Sequence, residues 1–312
     1  MKRIINFLKK NKEKVAIVVL LLGVICLFCC LLITVHKIFR LHDKLDNDKK
    51  AKVEAVEKYD KIMREDETRT KAVKIPILTF HRTVDHESKE KYFKDDKWTN
   101  DLDVTNEELK YLYDNGWKSI NLDDFYCWYI KECEFDEKTF VLTIDDGDAE
   151  AYYNFLPLLD KYKFDATLFV IGSAVPETTL ELDEPNRVKV GMDIIEKLRK
   201  EKSRLHFESH SYNEHRRCPD STPIVSTYSM KEMEEDFDLN QKFGFKYYAY
   251  PFGYYNKDLL TVISNRKEIK MAFGFHNYNY ATRLNNPYEI DRIKVDGKMS
   301  INDFKKWFEY AQ

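Results

Sequence analysis

TFVLTIDDG, residues 139–147, decides how this chain is read. Six residues are apolar or threonine, and the run then stops on two acids and a glycine. A strand without polar alternation is buried on both faces, which is the condition of a parallel sheet covered by helices. The same pattern recurs on either side: IPILTFH (75–81) before it, then ATLFVIG (166–172), LHFESHS (205–211), KYYAYPFG (246–253), MAFGF (271–275) and EIDRIKV (289–295) after it.

Helical stretches lie between these runs. VTNEELKYLYDNGW (104–117) has helical spacing, with Thr105 as the expected N-cap and Glu108 completing a capping box. AYYNFLPLLDKYK (151–163) is helical, with Pro157 marking a kink or break. Residues 192–200, 257–266 and 301–310 follow the same spacing, and SMKEMEEDFDLNQKFG (229–244) closes on a C-cap glycine. Strand and helix alternating in this way predict an α/β fold with a parallel sheet. Seven or so units across residues 75–312 fit a (β/α) barrel better than an open doubly wound sheet, since no Gly-rich phosphate loop follows the first strand.

Composition narrows the function. The 312 residues are 43% hydrophobic and 14% aromatic, too rich in core formers for a disordered chain. A net charge of −3, from 51 basic and 54 acidic residues, argues against a nucleic-acid binder, which needs a basic excess. A mean hydropathy of −0.57 excludes a multi-span membrane protein.

One membrane segment stands out nonetheless. VAIVVLLLGVICLFCCLLITV (15–35) carries no charge and would span roughly 31 Å as a helix, close to one hydrocarbon core. Lys2, Arg3, Lys9, Lys10, Lys12 and Lys14 precede it, against Glu13 alone. Residues 1–14 therefore read as a cytoplasmic basic tail and the rest of the chain as extracellular, a single-pass cell-membrane protein. No Ala-x-Ala site follows the run, which favours an uncleaved anchor over a signal peptide. Residues 36–74 mix both charge signs without Pro or Gly and read as a charged, partly helical stalk. Outside the membrane run, Cys127, Cys133 and Cys218 form no disulfide framework, and whether Cys127 pairs with Cys133 is left open.

In barrels of this kind the active site lies at the carboxyl ends of the strands. His81, Asp145, Asp146, His210 and Tyr250-Pro251-Phe252-Gly253 fall there, His215 lies in the loop after His210, and His276 follows MAFGF. Singly, each has an ordinary structural explanation. Together they gather two carboxylates and several imidazoles on one face. Two imidazoles and a carboxylate suit a divalent metal with positions open for water, and a second carboxylate beside it suits a general base. Gly147 allows the sharp exit from the strand.

These residues resemble the polysaccharide deacetylase family, also called carbohydrate esterase family 4 or the NodB-homology domain. Its Thr-Phe-Asp-Asp-Gly motif stands here as Thr143-Ile144-Asp145-Asp146-Gly147, its His-Ser/Thr motif as His210-Ser211 followed by His215, and its Pro-aromatic motif as Pro251-Phe252. The wider His spacing and the YPFG run resemble the branch acting on poly-N-acetylglucosamine. The resemblance implies a distorted (β/α) barrel of about seven units. It also implies metal-dependent removal of acetyl groups from N-acetylated sugars. Asp145 would be the catalytic base, and Asp146, His210 and His215 the ligands of a metal, zinc first, with Co2+, Ni2+ or Mn2+ as substitutes. The backbone N–H of Phe252 would help hold the oxyanion, with Tyr250 and Pro251 around it, and Ser211 would steady the metal loop.

Two departures from the family pattern matter. The Arg that usually precedes the motif Pro by two residues is Ala249 here, with Arg292 as its expected replacement. The late Leu-x-Leu-His motif that supplies the general acid is missing, leaving His276 and His81 as candidates. The implied partners are N-acetylated polysaccharides: poly-N-acetylglucosamine, peptidoglycan or chitin-like oligomers. The rival readings are a glycan-binding barrel without catalysis and an O-acetyl esterase using the same metal site. Trp98, Trp117, Trp128, Tyr254 and Tyr255 are candidates for sugar stacking, and the loops at 173–190 and 216–227 are expected to shape the groove.

Overall fold

The apolar runs become strands β1 (Ile77–Phe80), β2 (Thr139–Ile144), β3 (Ala166–Val170), β4 (Leu205–Ser209), β5 (Tyr247–Ala249), β6 (Met271–Gly274), β7 (Ile290–Asp291) and β8 (Ile293–Lys294). The computed structural model describes residues 71–183, 186–277 and 279–309. Every pairing between these strands is parallel, in the order β7-β6-β5-β4-β3-β2-β1-β8. The two outermost strands are separated in sequence by Arg292 alone. Ile290 pairs with Phe273 of β6, and Ile293 pairs with Leu78 of β1. One short segment thus joins both edges of the sheet, giving a nearly closed barrel. EIDRIKV, read as a single strand, is two half-strands hinged at Arg292.

Side chains divide along each strand with period two. Ile77, Val141, Phe169, Tyr247, Ala249, Met271, Phe273 and Ile290 share one buried cluster, the barrel interior. Their neighbours Leu78, Phe80, Leu142, Ile144, Leu168 and Val170 face outward into the helix layer. The helices are α1 (His86–Tyr92), α2 (Leu102–Asp114), α3 (Leu122–Tyr129), α4 (Leu156–Tyr162), α5 (Met192–Glu201), α6 (Met230–Asn240), α7 (Lys257–Asn265) and α8 (Ile301–Glu309). Leucines and phenylalanines of α2, α4, α5 and α8 cover one side of the barrel, and α6 and α7 cover Tyr248, Tyr250 and Ala272. Helix α3 packs Phe125 and Trp128 into the interior cluster.

Several expectations shift. Helix α2 starts before Thr105 and is capped by Asp101, whose side chain accepts from the Asp103 N–H at 2.8 Å. Thr105 and Glu108 are instead buried inside the helix, because T-x-x-E has the i,i+3 spacing of a helix interior as well as that of a cap. The break near Pro157 is real: Ala151–Phe155 winds as one π-turn before α4, which carries the proline in its first turn. Helix α6 has a full capping box between Ser229 and Glu232, and Gly244 stops the segment with φ of +68°. Ala72 is buried, and its carbonyl accepts from the Trp128 indole at 2.9 Å. Cys127 and Cys133 form a disulfide. The expected tail, membrane run and most of the stalk lie outside the described residues, and no described helix is long and apolar enough to cross a membrane.

Candidate active site

Strand β2 ends where the Asp145 N–H donates to the Phe80 carbonyl at 3.0 Å. The chain then turns through two left-handed residues, Asp146 (φ +75°) and Gly147 (φ +72°). At Gly147 a side chain would stand 3.2 Å from the Val170 backbone, so glycine meets both the conformational and the steric demand. Asp146 has no such freedom and holds a conformation that costs about 1 kcal/mol. The turn aims the two adjacent carboxylates at different partners.

Asp146 faces the two imidazoles. His210 follows β4, and its Nδ1 lies 2.8 Å from the Ala249 carbonyl, which can only accept. The proton therefore sits on Nδ1, and the Nε2 lone pair points to the site. That Nε2 is 3.6 Å from Asp146 Oδ1, and His215 Nε2 is 3.2 Å from the same oxygen. The three ligand atoms all lie within 4.8 Å of one another. A carboxylate oxygen and two imidazole nitrogens, one of fixed tautomer, fit a divalent cation. Burial raises the Asp146 pKa, but the neighbouring His210 and His215 more than reverse this and hold it well below the usual range. Ser211 shapes the connecting loop: it has φ of +68°, and its hydroxyl accepts from the Glu214 N–H at 3.0 Å.

Asp145 faces Arg292. The guanidinium donates from Nη1 to Oδ1 at 2.7 Å and from Nη2 to Oδ2 at 2.8 Å, with both residues essentially unexposed. Arg292 also lies against the rings of Phe275 (4.4 Å) and Phe169 (5.5 Å). Burial raises the Asp145 pKa, and Arg292 followed by His210 outweighs it, so the carboxyl stays below its ordinary value. The arginine that sequence left as a substitute reaches this carboxylate from the hinge between β7 and β8.

The two candidate acids part company. His81 lies at the end of β1 and lines the same cavity as Asp145 and Asp146, its ring 4.7 Å from that of Trp98. Burial lowers its pKa despite the neighbouring carboxylates, which favours neutral imidazole. His276 is exposed, stacks on Tyr255 at 4.3 Å and does not line the cavity. Phe252 holds φ of +59° and places its ring 4.4 Å from His215. Pro251 and Tyr250 build the turn beneath it, the Tyr250 hydroxyl donating to the Tyr288 carbonyl at 2.9 Å. Of the tryptophans named for stacking, Trp117 and Trp128 belong to the core, while Trp98 is 38% exposed at the cavity.

Two arginines in this cavity of about 270 Å³ carried no sequence motif. Arg187 donates from Nη1 to Asp146 Oδ2 at 2.8 Å and pairs with Asp148 at 3.2 Å. Lys189 donates to Asp148 Oδ1 at 2.6 Å and to the Asp146 carbonyl at 2.8 Å. Their backbone runs antiparallel beside the acidic turn, with Ala149 N–H on the Val188 carbonyl and Val190 N–H on the Gly147 carbonyl. Arg82, ion-paired to Glu150, donates to the Asn186 carbonyl at 2.7 Å and ties the same strap to the end of β1. The alternation Arg187-Val188-Lys189 matches that of Asp146-Gly147-Asp148, the only trace of the strap in the sequence. The second arginine, Arg217, comes from the loop after His215.

Comparison with known proteins agrees with this geometry. The family described as polysaccharide deacetylase matches residues 133–270. A poly-beta-1,6-N-acetyl-D-glucosamine N-deacetylase of Staphylococcus aureus (strain MRSA252) is 27% identical over 214 residues, 64% of this chain and 69% of that protein. Among solved structures, the Streptococcus pyogenes deacetylase PplD aligns with a TM-score of 0.60 at 21% identity, over 75% of this chain and 98% of that one. IcaB from Ammonifex degensii aligns with a TM-score of 0.61 at 17% identity, over 77% and 98%. At these identities the two structures speak for the fold. Together with the two-Asp turn and the paired histidines at the strand ends, the match makes residues 133–270 similar to the polysaccharide deacetylase family.

Proposed function

We propose that this chain is a membrane-anchored, metal-dependent polysaccharide N-deacetylase. It would hydrolyse the acetamide of N-acetylglucosamine residues in an extracellular or wall polysaccharide. One observation carries the reading: a carboxylate locked to a buried arginine stands beside a separate Asp-His-His triad in one cavity.

Asp146, His210 and His215 would hold the metal, with zinc the best match to two imidazoles and one carboxylate. Bound there, the ion would act as a Lewis acid and lower the pKa of its water. The remaining steps belong to the chain. Asp145 takes the proton of the attacking water, and Arg292 keeps that carboxylate ionised and fixed in direction. The Phe252 N–H, in its left-handed turn, is the donor for the developing oxyanion. His81 is the imidazole within the cavity that can deliver a proton to the leaving nitrogen. Its lowered pKa makes the protonated form scarce and strongly acidic. The products are acetate and a free amine.

The similarity to the staphylococcal relative favours a poly-N-acetylglucosamine substrate. The Cys127–Cys133 disulfide favours an oxidising compartment, in keeping with a domain outside the membrane. The test is acetate release by the metal-loaded full chain from poly-N-acetylglucosamine, peptidoglycan and chitin oligomers. Asp145→Asn and His210→Ala should each abolish it. Undiminished release after complete chelation would overturn the metal-dependent reading.

A further inference from the structure

Four residues, Ser211 to Glu214, separate the two imidazoles of the triad. A segment this short can place His215 only if its own backbone is held. The strands hold part of it. The Gly172 N–H donates to the Ser211 carbonyl at 3.0 Å, and the Ser173 N–H donates to the Tyr212 carbonyl at 2.8 Å. The Ser211 N–H donates to Ser209 Oγ at 3.2 Å, and the Glu214 N–H to Ser211 Oγ at 3.0 Å. The two N–H groups in the middle, those of Tyr212 and Asn213, point to a helix instead.

Asp236 meets both. It lies on the buried face of α6, and each of its oxygens takes one N–H: Tyr212 donates to Oδ2 at 2.7 Å and Asn213 to Oδ1 at 2.7 Å. Bonds to a charged acceptor are short and strong, and two of them on one rigid carboxylate fix direction as well as distance. A second contact registers the helix against the same place. Asn240, one turn further on, donates from Nδ2 to Ser209 Oγ at 3.0 Å. A Cβ added at Gly172 would stand 2.4 Å from Asn240 Oδ1 and 2.8 Å from the Tyr212 ring, so helix and segment approach as closely as glycine allows. Beside His215, Glu214 accepts from the Tyr248 hydroxyl at 2.9 Å. Within the segment Ser211 keeps a left-handed backbone, which persists only where the surroundings over-determine it.

We propose that Asp236 is a positioning residue of the metal centre. By clamping the two central N–H groups it fixes where His215 Nε2 stands relative to His210 Nε2 and Asp146 Oδ1. This rests on the metal-dependent reading and extends the centre to α6, a helix that supplies none of the triad. His210 has its own supports, since its N–H donates to the Val170 carbonyl at 2.8 Å and its Nδ1 to the Ala249 carbonyl. His215, 22% exposed, follows the clamped segment and takes its placement from it.

The probe is zinc, its affinity for the full chain in detergent measured by chelator competition, with acetate release as a separate readout. Asp236→Asn keeps the size of the side chain but turns one acceptor into a donor facing an N–H. Its zinc affinity should fall about tenfold or more, the scale set by outer partners of metal ligands. Asp236→Glu keeps two acceptors and should recover part of the loss. Asp236→Ser, which also loses the paired acceptors, gives the same reading should the asparagine variant not fold. Met233 is buried on the same face of α6, so Met233→Ala loosens the helix while leaving both N–H contacts in place. It should lower the urea midpoint and leave zinc affinity unchanged. The visible spectrum of the cobalt-loaded chain, which reports ligand geometry, should change in Asp236→Asn and not in Met233→Ala. Native zinc affinity in Asp236→Asn, or a loss equalled by Met233→Ala, would overturn the proposal. The two readings fail separately. Zinc affinity that depends on Asp236, with no acetate release from the native chain, leaves the positioning role standing and removes the enzyme, whereas metal-dependent acetate release with native zinc affinity in Asp236→Asn does the reverse.

Discussion

Replacing Arg292 by Met tests the electrostatics of the site most directly. The change keeps a long unbranched side chain against Phe275 and Phe169 while removing the only guanidinium bound to Asp145 among the described residues. Asp145 is 1% exposed, so its charge would be left with little solvent. Removing one partner of a buried pair costs about 3–5 kcal/mol. The structure sets a ceiling of similar size, because the carboxyl can escape by taking a proton. From an ordinary pKa of about 3.9, that proton costs about 4 kcal/mol at pH 7 and about 1.5 kcal/mol at pH 5.

The sign follows from linkage. In the native protein the Asp145 pKa is depressed, so its contribution is present above the unfolded value and is lost only as pH falls through the folded one. In Arg292→Met the folded pKa is raised, and stability is lost as pH rises. The variant should therefore be about 4 kcal/mol less stable at pH 7 and recover much of that at pH 5. Asp145→Asn combined with Arg292→Met should be more stable at pH 7 than Arg292→Met alone. Urea unfolding of the metal-free full chain, followed by the fluorescence of the buried Trp117 and Trp128, measures both. A pH-independent loss, or a double variant no better than the single one, would show that Arg292 acts by packing, and the account of Asp145 as a charge-held base would fall with it.

Three further outcomes follow from other contacts. Arg187→Met frees the second oxygen of Asp146 and removes a cation beside the triad, so a chelator competition should show several-fold tighter metal binding; equal or weaker binding would count against the strap as a restraint on that carboxylate. Glu208, whose buried carboxylate accepts from the Lys246 and Tyr247 N–H groups, is pushed up to about 7 by burial. Its contribution is present below its unfolded pKa and lost as pH rises through about 7. Glu208→Gln should therefore remove an alkaline loss of about 3 kcal/mol between pH 5 and 9, and identical pH–stability curves would refute this. Replacing Cys127 and Cys133 together by Ser should cost about 2 kcal/mol, the loop-entropy value for so short a bridge, read as a lower midpoint in thermal unfolding under oxidising conditions.

The barrel and its acidic turn were legible because their signals are local. A strand buried on both faces has to be apolar throughout, and a turn that needs left-handed backbone writes its glycine into the chain, as at Gly147. The grouping of Asp146, His210 and His215 was legible because the first two follow strand ends and His215 lies in the loop after His210. What sequence could not place depended on distance along the chain. Arg292 reaches Asp145 across 147 positions, so only the closure of the barrel could turn a suspected substitute into a contact. His81 and His276 looked alike as candidate acids, and they separate only when the cavity is drawn. Arg187 and Arg217 lie in the loops 173–190 and 216–227 expected to shape the groove, but no motif singled them out, and the capping box at Thr105 failed because helix interior and helix start share one spacing. The small sheet of Arg82–Val84 with Thr99–Asp101 also went unseen, each strand being three residues long.

The hinge at Arg292 carries a consequence for when the protein becomes competent. All three triad residues precede position 216, and the strands that carry them can pair among themselves before the chain is finished. Arg292 arrives only with the last pair of half-strands, whose docking also joins the two edges of the sheet. A chain emerging from its N-terminus would thus acquire the means to hold an ion before it acquired an oriented base. If Asp145 is the base proposed above, closure of the barrel and orientation of that carboxylate would be one event, and C-terminally clipped molecules would lack the Arg292 contact.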